Sequence, residues 1–286
     1  MAYAGFDRAD CPSLDMMARL KADTNLEWVG FYLPAPSQRG ATWKGKRAAL
    51  VAQGWGLTPI YVGQQLTGPG ARNTSSAQGA TDGADAFDKM KAEGFARGSW
   101  VYLDLENGPP FTMLQKGYVA AWVDTVESFG YRAGVYCSYL FAGEVKALCP
   151  TARIWVFHLK VAKIAAHLVD GLRFPELDPA NSGFAGAVIW QFDDEARLSV
   201  FGDLACDLDS STMRDPSAPA AVASTPTRPP GPYLPPPSDV PSSLPIPAPA
   251  NETSSGMVLA YAGIAIAIVA IAVFVYFAFF HGTPAP

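Results

Sequence analysis

The first 215 residues of this 286-residue chain predict an α/β fold, a single (β/α)8 TIM-type barrel. Strand-like apolar runs alternate with amphipathic helical segments, and this order implies a parallel sheet with right-handed crossovers. Eight such runs are enough to close a barrel, a fold whose lower size limit is about 200 residues. A doubly wound open sheet is the alternative, but no Gly-x-Gly-x-x-Gly follows the first strand to support it.

Runs of apolar and β-branched residues, bounded by glycine, proline and small polar residues, mark the eight strands. We expect them at 3–8, 28–33, 58–63, 100–106, 132–138, 153–159, 185–192 and 205–209. The helical segments between them are 14–23, 44–53, a helix that starts at Thr81, 112–129, 140–148 and 161–169. Ser13 can cap the first helix, and Thr112 with Gln115 forms a capping-box pattern at the start of the fourth.

Three segments follow the predicted barrel domain of residues 1–215. Residues 216–256 form a Pro-rich linker that we expect to be disordered, since 216–250 hold thirteen of the chain's 25 prolines and almost no charge. Residues 257–280 contain no charged residue. About 20 apolar residues suffice to cross a bilayer, so 257–280 predict one transmembrane helix, followed by a short tail at 281–286.

The predicted location is a membrane, reached by a single C-terminal anchor. Residues 3–8 read as a strand, so we expect no signal peptide before them. Arg214 and Arg228 precede the anchor and nothing basic follows it, which favours a cytoplasmic barrel domain. A bacterial envelope or a virion membrane would suit other topologies, and the side of the membrane stays open.

Composition excludes several classes of function. The net charge is −5 and no cluster of Lys and Arg occurs, so nucleic-acid binding has no electrostatic footprint. The four cysteines show neither a Cys-x-x-Cys pair nor zinc spacing. We therefore predict no resident metal and no cofactor, and nothing in the sequence indicates a protein partner.

Acidic residues stand at the predicted strand ends. Asp104 and Glu106 close the fourth run, and because side chains two apart on a strand share a face, both should point the same way. Asp7 ends the first strand, and Asp207 and Asp209 end the eighth, its neighbour in a closed barrel. Catalytic groups of such barrels lie at the C-terminal strand ends. Each acid alone could equally cap the next helix.

Aromatic side chains accompany these acids. The residues that we expect at the same rim are Tyr32, Tyr61, Tyr136 and Trp190, each near the end of its strand. Rings and carboxylates together would suit a sugar, whose apolar faces stack on rings while its hydroxyl groups need acceptors.

Four short motifs resemble those of the family 25 glycoside hydrolases, the muramidases that cut peptidoglycan. They are Gly5-Phe6-Asp7, Leu103-Asp104-Leu105-Glu106, Ile189-Trp190-Gln191-Phe192 and Asp207-Leu208-Asp209. The chain is more similar still to a sister group of uncharacterised bacterial glycoside-hydrolase-like barrels. The resemblance covers residues 3–211 and none of the tail.

The resemblance implies a role for each matching residue. Glu106 would be the general acid that protonates the leaving oxygen, Asp104 would orient or stabilise the reacting centre, and Asp7 and Asp207 would complete the acidic floor. Gln191 and Asp209, with the four rim aromatics, would bind substrate. The substrate's own acetamido group would assist, which removes the need for a protein nucleophile.

Three functions fit these features. The first is a membrane-anchored glycosidase that acts on peptidoglycan, with the lipid bilayer as its other partner. The second is a non-catalytic glycan-binding or structural barrel on a membrane stalk. The third uses the acids as a site for Mg²⁺ or Ca²⁺, cations that prefer carboxylate oxygens.

Overall fold

The computed structural model describes residues 1–38, 40–67, 70–160 and 167–219. Within those ranges the strands are β1 Tyr3–Asp7, β2 Trp28–Tyr32, β3 Gly56–Val62, β4 Trp100–Asp104, β5 Arg132–Ser138, β6 Arg153–Phe157, β7 His167–Val169, β8 Ala187–Leu198 and β9 Leu204–Ser211. The helices are α1 Leu14–Asp23, α2 Arg47–Ala52, α3 Ser76–Ala92, α4 Met113–Ser128 and α5 Ala142–Leu148, with short 3-10 turns at Pro179–Asn181 and Ser199–Phe201.

Eight of these strands close into a mixed barrel. Strands β1 to β6 are parallel neighbours in chain order, β6 pairs in parallel with β8, and β9 joins β8 to β1. The pairings of β9 with β8 and with β1 are antiparallel. The α/β barrel is therefore confirmed, but its uniformly parallel (β/α)8 form is wrong at the last strand.

The chain between β8 and β9 explains this reversal. Strand β8 extends to Leu198, six residues beyond its predicted end, so only 199–203 remain before β9 begins. A parallel connection needs a dozen or more residues, whereas a short turn produces an antiparallel hairpin. Gly202 and Asp203, both with positive φ, turn the chain there.

The sequence predicts a helix at 161–169, and this prediction is wrong for 167–169, the part of the segment that the structure describes. Residues 167–169 form β7, which pairs in parallel with the outer end of β8, and 161–166 lie outside the described ranges. A short apolar run fits both the helical and the strand period, so the choice depends on the partner. The extension of β8 supplies a strand edge.

Helix starts follow their capping residues. Thr112 and Gln115 form the predicted capping box of α4, and Ser13 caps α1 by accepting a hydrogen bond from the Met16 amide. Helix α3 begins at Ser76, earlier than predicted, because Ser75 caps it. Thr81 instead lies inside α3, where its hydroxyl group donates to the Ala77 carbonyl oxygen at 3.1 Å.

Large side chains fill the barrel interior. Its buried members are Trp28, Ile60, Val62, Trp100, Tyr102, Trp155 and Ile189, and a second apolar layer lies between the sheet and the helices. Glycines make room for the rings: a Cβ at Gly5 would lie 2.2 Å from the Trp28 ring, and one at Gly134 would lie 2.3 Å from the Tyr102 ring. The barrel interior is thus a packed core and not a pore.

The barrel's contacts continue past residue 215, the predicted domain boundary. Trp100 donates its amide to the Ser217 carbonyl oxygen, and Ser217 donates to that of Leu57, both at 2.9 Å. The predicted linker beyond residue 219 and the predicted transmembrane helix lie outside the described residues. Among the residues that are described, none belongs to a helix long and apolar enough to span a membrane.

Candidate active site

Four acids meet in one pit at the barrel mouth. Asp7 ends β1, Asp104 ends β4, Glu106 lies in the loop after β4, and Asp207 lies in β9. The other lining residues of the pit are Tyr32, Ile60, Tyr136, Trp155 and Gln191. The structure thus brings together the four acids that the sequence singles out.

Glu106 reaches the pit from the loop and not from the strand. Strand β4 ends at Asp104, so the expected strand geometry of the pair does not apply, and Glu106 is exposed whereas Asp104 is buried. Gln65 holds the chain between them. Gln65 Nε2 donates to the Asp104 carbonyl oxygen at 2.8 Å, and Gln65 Oε1 accepts from the Glu106 backbone amide at 3.0 Å.

Asp207 comes to the mouth because β9 runs backwards. The β1–β9 ladder places Asp207 directly opposite Asp7 and Asp209 opposite Gly5. A parallel last strand would have its C-terminal end at the barrel mouth. Because β9 is antiparallel, Asp207 lies at the mouth and Asp209 lies two residues deeper. The prediction that Asp7 and Asp207 are close is confirmed, although the strand direction behind it is wrong.

Asp7 is buried beside two polar partners. The Tyr32 hydroxyl group donates to Asp7 Oδ1 at 2.5 Å. Burial raises the pKa of Asp7 to about 6, and the Glu106 charge adds to this, while hydrogen bonds with Tyr32 and Asp209 act in the opposite direction. Asp7 therefore changes charge close to neutral pH.

Asp104 and Asp209 favour the protonated form more strongly. Burial, followed by the negative charges of Glu106, Asp7 and Asp207, holds the pKa of Asp104 well above its usual range. Within the described structure Asp104 Oδ1 is buried and has no hydrogen-bond partner. Burial and then Asp7 likewise raise the pKa of Asp209, against a 3.1 Å hydrogen bond from the Trp155 indole.

A polar chain orients Asp207. Tyr136 donates its hydroxyl group to the Gln191 side-chain oxygen, and Gln191 Nε2 donates to Asp207 Oδ2 at 3.0 Å. The Glu195 amide donates to Asp207 Oδ1 at 2.9 Å. Tyr32, Tyr136 and Gln191 thus lie where the sequence places them, at the acids, and Asp209 is buried beneath the pit.

Two of the predicted rim aromatics point away from the pit. The Tyr61 hydroxyl group donates to Asp85 of α3 at 2.8 Å, and the Trp190 indole donates to the His158 carbonyl oxygen at 2.9 Å. Both belong to the apolar layer outside the barrel. Strand alternation explains this, because Ile60 and Gln191, one position away on the same strands, take the inward places.

Four residues of the site were not predicted: Ile60, Gln65, Trp155 and Glu195. Period-two alternation from Tyr61 could have indicated Ile60. Trp155 pairs in register with Tyr136, so a correct strand alignment would have found it. No local sequence pattern indicates Gln65 or Glu195, because Gln65 lies in a loop and Glu195 lies where the β8–β9 register shifts.

The site provides groups for acid–base chemistry, and its described residues do not form a group of metal ligands. Within the four described ranges, no three or more His, Cys, Asp or Glu side chains are grouped as metal ligands would be. The arrangement does provide carboxyl groups with different surroundings: Glu106 is exposed, Asp207 is half-buried, and Asp7 and Asp104 are buried. Such a difference is what separates proton donor from charged partner in general acid–base catalysis.

Two grooves continue from the pit. One, lined by Phe157, Leu159 and Asp194, shares Glu106, Tyr136, Gln191 and Asp207 with the pit. The other, lined mainly by charged residues, shares Asp7 and Asp207. The open surface therefore extends beyond the pit, a shape that suits a polymer.

Comparison with solved structures gives the same barrel at low sequence identity. An uncharacterised protein of B. stearothermophilus is 19% identical with a TM-score of 0.53, over 74% of this chain and 97% of that one. The Tat-secreted protein Rv2525c of Mycobacterium tuberculosis, crystallised with L-tartrate, is 14% identical with a TM-score of 0.51, over 74% and 96%. The spore cortex lytic enzyme SleM of Clostridium perfringens is 15% identical with a TM-score of 0.51, over 73% and 67%.

A family model for the Rv2525c-like, glycoside hydrolase-like domain matches residues 18–167, more than half of the chain. The chain belongs to this family. No curated protein sequence matches it. The matched residues include Asp104 and Glu106 but not Asp7 or Asp207, so the full acid set rests on the barrel geometry.

Proposed function

We propose that this glycoside hydrolase-like protein cleaves the glycan strands of peptidoglycan by lysozyme-type hydrolysis, with Glu106 as the general acid. The observation that supports this most is the convergence of Asp7, Asp104, Glu106 and Asp207 in one open pit. Glycoside hydrolysis generally uses two carboxyl groups that flank the scissile bond in different protonation states. The cleft on both sides of the pit would hold the sugars that flank that bond.

Glu106 is the acid best placed to meet a leaving group. It is exposed at the pit while its backbone is fixed by Gln65, so its carboxyl group can approach a bound glycosidic oxygen. Asp104 lies deeper, and its raised pKa keeps a proton on the site at a pH where an exposed aspartate has lost it. The charge of Glu106 is one of the causes of that raised pKa, so the deeper acid responds to the state of its exposed neighbour.

The remaining acids would balance positive charge. Cleavage of the glycosidic bond develops an oxocarbenium-like sugar, which a nearby carboxylate stabilises. Asp207, held by Gln191 and the Glu195 amide, faces the same pit and can serve this purpose. The resemblance to muramidases implies that the substrate's acetamido oxygen attacks the anomeric carbon and that water completes the hydrolysis.

The test is cleavage of purified peptidoglycan by the full-length protein and by Glu106→Gln. A general acid contributes about 10²- to 10⁴-fold to rate, so we expect the variant to lose at least about 100-fold in release of reducing ends. Its melting temperature should stay close to that of the wild type, because Glu106 is exposed.

Glu176→Gln is the matched control, because Glu176 is exposed and lines a separate pocket with Met1 and Thr212. It should cleave like the wild type. Unchanged activity in Glu106→Gln would remove this residue from the mechanism. Glycan binding without any cleavage by the wild type would establish the non-catalytic alternative.

We also propose that residues 257–280 anchor the barrel to a membrane and that 216–256 hold it away from the surface. The support is the uncharged apolar length of the first segment and the proline content of the second.

A further inference from the structure

The two grooves that leave the pit differ in chemistry. The groove beside Tyr136 carries Phe157 and Leu159, and the Tyr136 and Phe157 rings lie 5.3 Å apart between centroids. The other groove carries Arg8 and Arg197 together with Asp10 and Glu195. We call this second groove the arginine groove. The groove beside Tyr136 thus combines an aromatic and an aliphatic side chain with carboxylates, whereas the arginine groove carries guanidinium groups beside its carboxylates.

The arginine groove is built on the same strands as the pit. Arg8 directly follows Asp7, and the Arg8 carbonyl oxygen accepts a 3.1 Å hydrogen bond from the Trp43 indole, which fixes the chain there. On β8, Arg197 stands opposite Ala205, two residues before Asp207 on β9. Residues two apart on a strand share a face, so Arg197 continues the row that starts at Asp207.

The guanidinium groups of Arg8 and Arg197 have few partners among the residues that the structure describes. No other described residue forms a salt bridge with Arg8 or Arg197. Arg8 Nε is buried and has no hydrogen-bond partner among the described residues. A buried guanidinium donor without a partner is costly, and a carboxylate is its best acceptor.

A peptidoglycan strand carries such a group at a fixed place. Every second sugar bears a lactyl ether, which ends in a carboxylate or continues into a short peptide with carboxylates and amines. Asp10 and Glu195 in the same groove would meet the amines of that peptide. An apolar sugar face would rest at Tyr136 and Phe157, where rings line the other groove.

We propose that the arginine groove binds a carboxylate of the lactyl-linked branch, so that the protein selects branched glycan over bare glycan. This inference rests on the proposed function for its substrate class. It assigns Arg8 and Arg197 to substrate selection and sets the direction in which the strand lies across the pit.

The test is a calorimetric titration of the full-length Glu106→Gln protein, in which ligands stay intact. The probes are di-N-acetylchitobiose, the N-acetylglucosaminyl–N-acetylmuramic acid disaccharide and its dipeptide derivative. We expect at least one branched disaccharide to bind about tenfold more tightly than chitobiose, the effect of a single charge-assisted hydrogen bond. Preference for the free acid would identify the lactyl carboxylate, and preference for the dipeptide derivative would identify the peptide.

Added Arg8→Ala or Arg197→Ala should abolish this preference while chitobiose binding stays the same. Arg132→Ala is the matched control, because Arg132 is exposed at the start of β5, at the opposite end of the barrel, and it should keep the preference. Equal binding of all three probes, or an undiminished preference in both arginine variants, would overturn the inference. Cleavage plays no part in this readout, so failure of the proposed hydrolysis would be seen separately in the wild type.

Discussion

Asp7 couples the chemistry of the pit to the stability of the barrel. It is 3% exposed, and it lies between the Tyr32 hydroxyl group and Asp209. Its pKa rises from 3.8 to about 6 on folding, so the folded state holds its proton more tightly than the unfolded chain does. The stability that this proton provides is present below about pH 4 and is lost as the pH rises through about 6.

Asp7→Asn should remove this pH dependence, because an amide does not titrate. Between pH 4 and pH 7.5 the wild type loses the stability that the proton provides, whereas the variant does not. The difference in the free energy of unfolding, variant minus wild type, should therefore increase by at most about 3 kcal/mol, which corresponds to roughly two pKa units. Urea unfolding at both pH values measures the difference. Asp88→Asn, at an exposed position on α3, is the control. A gap between wild type and Asp7→Asn that does not change with pH would contradict the assignment.

Individual site residues were predictable where chemistry and position agree. An acid at the end of an apolar strand has few structural reasons to be there, and all four such acids that were assigned to catalysis line the pit. Aromatic residues carry no such signal, because a ring is equally suited to either face of a buried strand. Tyr61 and Trp190 therefore could not be told from Tyr32 and Tyr136 without the register.

Strand β8 carries an irregular segment that shapes the site. Its ladder with β9 shifts register between Gln191 and Asp193 and again between Asp193 and Ala196. Glu195 lies in this segment with a φ of 54°, in the left-handed region that costs a non-glycine residue about 1 kcal/mol. The shift turns the Glu195 amide toward Asp207, and the strain stays at the site.

Glu195→Gly should relieve this strain and keep the amide that holds Asp207. We expect the free energy of unfolding to rise by up to about 1 kcal/mol, with cleavage of bare glycan unchanged. Asp203→Gly offers a matched comparison, since Asp203 has a φ of 57° at the β8–β9 turn. Urea midpoints of both variants measure the effect, and a lower midpoint for both would show that the left-handed backbone is not strained.

Elements with local signals were predicted well, and those that depend on distant partners were not. The capping box at Thr112 and Gln115 fixes the start of α4 within a few residues of sequence. Strand β9 is antiparallel because β8 extends so far that only a short turn separates them. The extended part of β8 is stabilised by its pairing with β7 and β9. The helix predicted at 161–169 is wrong at 167–169 for the same reason, because these residues form β7 by pairing with the extended end of β8.

At the scale of the whole molecule, a filled barrel carries its chemistry at one end. Trp155 contacts the rings of Trp28, Tyr102 and Tyr136 edge-on, with centroids 5.1 to 5.9 Å apart, and its indole supports Asp209. The acids therefore rest on a rigid aromatic floor. A closed barrel supports a site in this way because its packed interior holds the strand ends that carry the functional groups.

The proposed anchor predicts how the chain behaves in a cell. Full-length protein should remain in the membrane fraction after alkaline carbonate extraction, whereas a chain that ends at residue 256 should be released, because the apolar segment 257–280 would be missing. Immunoblots of both fractions measure this. Release of the full-length protein by carbonate would contradict the anchor without bearing on the barrel.

The central claim is that the four acids form a glycosidase site, and the chemistry of the cut bond tests it most directly. Purified peptidoglycan is treated with full-length protein, reduced with borohydride and analysed for reduced sugars by mass spectrometry. The account predicts reduced N-acetylmuramic acid in the wild-type digest and its loss with Glu106→Gln. A wild-type digest with no new reducing ends, beside an active muramidase as positive control, would contradict the claim.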